Sequence, residues 1–113
     1  MLNLFKKKQI APAWSYTVPY SNNFRGFKRL KLATYKDEYA QAGLLSLQDL
    51  PSYDRVTFTK IPDYDGINVS VDGHKVGTIW KHSWTEYYDA IISEKVEKAH
   101  LKIDENAYLF IKF

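Results

Sequence analysis

Ile67, Val69 and Val71 alternate with Asn68 and Ser70, and the run ends on Asp72-Gly73. Apolar residues at every second position turn one face of an extended chain to a core and the other to water. Asp-Gly is the strongest short hairpin signal, because both central positions of a two-residue turn want φ > 0. His74–Trp80 is then the returning strand, with Gly77 at a bulge or close approach. Upstream, Val56 and Phe58 share one face of Arg55–Lys60, and Thr57 and Thr59 share the other. Pro62-Asp63-Tyr64-Asp65-Gly66 is a turn by composition. Three antiparallel strands over residues 55–80 are the frame to which the rest of the chain is fitted.

Around that frame the signals are shorter. Residues 1–24 carry Pro12, Pro19, Ser15, Ser21, Asn22 and Asn23, which predicts an extended arm with one edge strand at Trp14–Val18. Leu30, Leu32 and Thr34 alternate with Lys31, Ala33 and Tyr35, which predicts a strand over Arg29–Tyr35. Asp37–Leu50 reads as a short helix or an irregular loop. Tyr39, Ala42 and Leu45 fit helical spacing, Gly43 does not favour a helix, and Pro51 ends the segment. Ser83-Trp84-Thr85-Glu86 has the form of a capping box. A helix near 84–97 would stack Trp84, Tyr88, Ile91, Ile92 and Val96 on one stripe. His100–Ile103 and Tyr108–Phe113 are the last strands, joined by a turn at Asp104-Glu105-Asn106. In the final strand Tyr108, Phe110 and Lys112 face one way, and Leu109, Ile111 and Phe113 face the apolar way. The expectation is a mainly β, α+β domain over residues 25–113. About six short strands and one helix would form a small barrel or a strongly bent sheet, since closure removes exposed edges.

Charge is the next constraint. The chain of 113 residues carries a net +3, unevenly spread. Lys6, Lys7, Lys8, Arg25, Lys28, Arg29, Lys31 and Lys36 all precede Asp37, the first acid. Trp14, Tyr16, Tyr20, Phe24, Phe27 and Tyr35 are interleaved with them. A basic half points to nucleic acid or a membrane surface. Cations neutralise phosphates and aromatic faces stack on unpaired bases. The bland alternative is that the aromatics are core and the bases a solvated surface. Met1–Lys8 is too short in its apolar part for a signal peptide and too weak for a membrane anchor. A cytoplasmic protein without membrane contact is expected.

Catalytic chemistry is thinly supplied. There is no cysteine, so thiol nucleophiles, disulfides and Cys-based zinc sites are excluded. No Walker loop, G-x-G-x-x-G or G-x-S-x-G motif occurs. His74, His82 and His100 match no metal-ligand spacing. Asp63 and Asp65 flank Tyr64 and could serve a metal, although alternate aspartates are more often Asx turns. No catalytic residue, metal or cofactor is assigned.

Val56–Trp80 (VTFTKIPDYDGINVSVDGHKVGTIW) resembles the core of the HIRAN domain family. Pro62, Tyr64-Asp65, Ile67-Asn68-Val69, Asp72-Gly73 and Val76-Gly77 carry the likeness, which extends over roughly Lys28–Ile103. The loop is about two residues shorter than is usual in that family, and Thr78-Ile79-Trp80 replaces its Tyr-Leu-Pro. The resemblance implies a small SH3- or OB-like barrel that binds single-stranded or recessed DNA ends without catalysis. Tyr64 would then stack on a terminal base and Asp65 would accept a hydrogen bond from a terminal sugar hydroxyl. Tyr35-Lys36 would supply a further aromatic and base, with Arg29 and Lys31 from the basic segment along the backbone. The alternative for the loop is that Tyr64 packs on the barrel rim and Asp65 caps a turn. The alternative for the molecule is a protein-interaction or self-associating module, a homodimer among the forms it would take, using its aromatic surface and N-terminal arm.

Overall fold

Asp72 and Gly73 take φ values of 50° and 86°, as the two-residue turn requires. They join β4 (Gly66–Val71) to β5 (His74–Trp80). The computed structural model describes residues 14–34 and 38–113. The remaining elements are β1 (Ser15–Pro19), β2 (Lys28–Lys31), α1 (Glu38–Gln48), β3 (Arg55–Lys60), α2 (Thr85–Ile92), β6 (Lys98–Ile103) and β7 (Ala107–Lys112). The fold is α+β and mainly β, with seven strands and two helices among the described residues.

The strands form two antiparallel sheets, β1-β3-β4-β5 and β2-β7-β6. Their edges meet at two seams. Ala33 pairs with Thr78 of β5 through both backbone hydrogen bonds, at 2.9 and 3.1 Å. Tyr20 pairs with Ala99 of β6, where the Ser21 N–H donates to the Ala99 carbonyl at 2.8 Å. The strand order therefore runs round a ring, β1-β3-β4-β5-β2-β7-β6 and back, a barrel closed by single bridges. Period-2 alternation fills it. Val56, Phe58, Ile67, Val69, Val71 and Ile79 enter from the larger sheet, and Leu30, Leu101, Leu109 and Ile111 from the smaller.

Several expectations need adjustment, although the edge strand expected at Trp14–Val18 does form, as β1, whose register opposes Val18 to Val56 and Tyr16 to Phe58. Val18 is buried in the core. The strand expected to reach Tyr35 stops at Lys31 and continues only as the Ala33 bridge, because there the chain leaves β7 for β5. One helix was expected and two form. Gly43 is a fit rather than a flaw in α1, since a Cβ there would lie 1.9 Å from the Lys75 carbonyl oxygen. The helix covers the edge of β5 at a distance only glycine allows, one of the ways proteins protect an exposed sheet edge.

The second helix is shorter than residues 84–97. It ends in a Schellman arrangement, with Glu94 N–H donating to the Ile91 carbonyl and Lys95 N–H to the Ala90 carbonyl. Glu94, at φ 55°, occupies the left-handed position usually given to glycine. The capping box does not form. Trp84 is the N-cap and makes no side-chain cap, while Thr85 Oγ1 donates to the Lys81 carbonyl at 2.8 Å.

Candidate nucleic-acid interface

The outward face of the three-stranded sheet is built by alternation. Inward residues Leu30, Leu109, Leu101, Ile111 and Ala99 are all buried, so their neighbours must face out. Register then arranges those neighbours in rows. Lys31 and Lys102 flank Tyr108, Arg29 and His100 flank Phe110, and Lys98 lies opposite Lys112. Five cations and a histidine thus surround two aromatic rings, with no acid at any of these positions. The five cations are exposed, and Tyr108, Phe110 and His100 are half-buried. None of the five has an acidic partner among the described residues, where the ion pair present is Lys28–Glu86 at 2.8 Å. Like charges directly opposite in a sheet are destabilising, so Lys98 against Lys112 opposes folding stability.

Phe24 completes the platform from the loop after β1. Its ring stacks on His100 at 4.0 Å and 11°, lies 4.9 Å from Phe110, and is 37% exposed. His100 Nδ1 lies 2.9 Å from the Ser21 carbonyl. A carbonyl only accepts, so Nδ1 carries a proton and donates it to this contact. The Arg29 guanidinium lies 5.3 Å from the Tyr108 ring centre, so the platform already holds a cation on an aromatic face.

The residues singled out from sequence fall into separate places. Arg29 and Lys31 stand on this platform. Tyr64 and Asp65 stand on the β3–β4 connection of the other sheet, and no hydrogen bond or ring contact among the described residues joins the two groups. Tyr35 and Lys36 lie outside the described residues. The loop itself is held by its backbone. Lys60 Nζ donates to the carbonyls of Ile61 and Tyr64, and the Lys81 N–H donates to the Asp65 carbonyl. The Tyr64 side chain is 64% exposed, not packed on the rim. The Asp65 carboxylate accepts no hydrogen bond from the described residues. It lies close enough to Tyr88 to help raise that phenol's pKa, an effect due first to burial and then to Asp65 and Asp89.

Two aromatics of the basic segment have structural work. Tyr16 stacks on Phe58 and its hydroxyl donates to the Val96 carbonyl. Tyr20 meets Tyr53 edge-on and donates to the Leu101 carbonyl at 3.1 Å. For these rings the bland reading holds. Sequence reasoning passed over Lys98, His100 and Lys102, and over Tyr108, Phe110 and Lys112 as a site. The signal that finds them is a polar or aromatic residue at every second position in two neighbouring strands.

A cleft opens at the seam beside Lys31. It has a volume of about 540 Å3 and is lined by Lys31 to Thr34, Thr78, Trp80, Ser83, Trp84 and Asn106. Among the described residues no three His, Asp or Glu side chains are placed to hold a metal ion, and no helix is long and apolar enough to cross a membrane. No protein-family model, curated protein or solved structure matches the chain.

Proposed function

We propose that this protein is a non-catalytic, cytoplasmic module that binds single-stranded nucleic acid, with single-stranded or recessed DNA ends as its ligand. The observation that carries the reading is the aromatic centre and cationic margins of the β2-β7-β6 face. Phe110 and Tyr108 are two residues apart on one strand, so their rings stand about 7 Å apart along it. A duplex places a phosphate every ~3.4 Å per strand and hides its base faces. An extended single strand presents unstacked bases at wider spacing, and aromatic faces accept any of them. The two cation columns lie one strand spacing, about 4.8 Å, to either side, where they can follow the phosphates.

The HIRAN-like loop adds the end preference. An acid next to nucleic acid repels phosphate, so Asp65 is useful only where a free hydroxyl replaces one. The exposed Tyr64 ring beside it has a free face for a terminal base. A second reading, self-association or protein binding, is favoured by one observation. Tyr39 and Leu45 on α1 are 80% and 64% exposed.

Binding of a fluorescent single strand at about 50 and 200 mM salt tests the proposal. Five neutralised phosphates would give a slope of log K on log salt as steep as about −3.5. Phe110→Ala should weaken binding roughly 5- to 150-fold, the worth of one base–aromatic stack. Tyr64→Ala, Asp65→Ala and a blocked 3′ end should weaken binding only to strands whose end can reach the loop. No binding at low salt would sink the proposal. A dimer in sedimentation that Leu45→Glu dissociates would then favour the second reading.

A further inference from the structure

The cleft at the β2–β5 seam begins where the platform ends. Lys31 belongs to both, as the edge of the Lys31–Tyr108–Lys102 row and as part of the cleft lining. Asn106, also in the lining, places its amide nitrogen 3.5 Å from the Tyr108 hydroxyl. A strand running along β7 past Phe110 and Tyr108 therefore meets the cleft next.

The lining suits a planar heterocycle. Trp80 and Trp84 both line the cleft and are half-buried. The Trp80 ring is itself backed by the chain, since a Cβ on Gly66 would come within 2.6 Å of Trp80 Cζ3. Trp84 is braced edge-on by Tyr87, with ring centres 5.3 Å apart. Both indoles are thus held in place before any ligand arrives, which lowers the ordering cost of binding. Polar groups remain unspent at the mouth. The Ser83 and Thr34 hydroxyls make no hydrogen bond to the described residues, whereas the Thr78 hydroxyl is committed to Asn68 Oδ1 at 3.0 Å. No acid lines the cleft. Its volume falls in the ~300–1,000 Å3 range of small-ligand sites.

We propose that this cleft takes an unpaired nucleobase of the strand held on the platform, stacked against Trp80 and Trp84, with the adjoining phosphate on Lys31. The inference rests on the function proposed above and extends it, because it makes the seam a second base site and requires the strand to run from Phe110 toward Tyr108. An aromatic side chain of a protein partner would fit the indoles but would leave the Lys31 ammonium without an anion.

Side-chain indole N–H signals in a 15N-labelled full-length chain test it directly. The chain has three tryptophans, and Trp80→Phe and Trp84→Phe assign the signals. On titration with a hexathymidylate, the Trp80 and Trp84 indoles should shift together with the backbone amides of β7, while Trp14 should stay still. Shifts on β7 with unmoved indoles would overturn the cleft proposal and leave the platform standing. No shift at either place would overturn both. As a second measure, Ser83→Trp fills the mouth from an exposed position. It should weaken hexanucleotide binding roughly 5- to 150-fold and leave dinucleotide binding on the platform unchanged. Equal affinity of Ser83→Trp and wild type for the hexanucleotide would count against the cleft.

Discussion

Lys98 faces Lys112 across a ladder that would be steadier with an acid on one side. Residues that weaken a fold where they stand are the ones to examine for function. The cost is local, and under the proposed function a phosphate between two ammonium groups would turn repulsion into attraction. Lys102 tests this at a single residue. Lys102→Gln should reduce the salt slope of single-strand binding by about 0.7, one phosphate's share. Because Lys102 is exposed, its thermal midpoint should barely change. Lys60 is the contrasting cation. Its ammonium is engaged by the carbonyls of Ile61 and Tyr64, so Lys60→Gln should loosen the loop and leave the platform's salt slope alone. Arg29 and Lys31 were legible as bases in an acid-free run, but their partners were not. Lys98, Lys102 and Lys112 lie in the half of the chain that carries every acid, so counting charge along the sequence hides them.

Among the elements, the strands with clean alternation were the most legible. Arg55–Lys60 and His74–Trp80 form over the residues expected, and the Asp72 carboxylate adds a tie by accepting the N–H groups of Asp54 and Arg55. The helices were less legible, for two different reasons. In α1 the signal against a helix, Gly43, records a neighbour that is distant in sequence. Gly43→Ala should destabilise the protein by about 1–3 kcal/mol through overpacking against Lys75, lowering the denaturant midpoint. An unchanged midpoint would mean that α1 does not seat on β5 as described. In α2 the marker for the end is missing because Glu94 stands where glycine is usual. Gly77 repeats the logic at the seam. A Cβ there would lie 2.6 Å from Leu32 Cβ, so Gly77→Ala should part the β2 tail from β5 and disturb the Trp80 indole signal.

Three phenols tie the stability of the fold to pH: Tyr16 and Tyr20, bonded to the carbonyls of Val96 and Leu101, and the buried Tyr88 of α2. Burial raises the pKa of Tyr16, helped by Glu94 and Glu97. Burial also raises that of Tyr20, opposed by the Leu101 N–H that donates to its hydroxyl oxygen. Tyr88 is raised as well. Unfolded phenols release their protons near pH 10, while these three keep theirs to higher pH in the fold. Their contribution to stability is therefore present below about pH 10 and lost as pH rises through the folded values. Denaturant midpoints should fall steeply above about pH 10, and Tyr88→Phe should flatten that fall. A flat profile across this range would show the three phenols to be freely titrating.

Local pattern indicated the alternating strands, the Asp72-Gly73 turn and the side of those strands that meets the core, because alternation and turn chemistry act between neighbours in the chain. The acid-free basic run raised nucleic acid as an expectation, taken up in the proposed function. Tertiary structure decided where the cations gather. The β2–β7 and β6–β7 registers bring Arg29 and Lys31 beside Lys98, Lys102 and Lys112, around rings from β7. It also decided that Tyr16 and Tyr20 serve the interior and that a cleft opens at the Ala33–Thr78 bridge. Those outcomes depend on pairings between residues as far apart in the chain as Lys28 and Ile111, and no periodicity within one strand specifies which other strand will lie beside it.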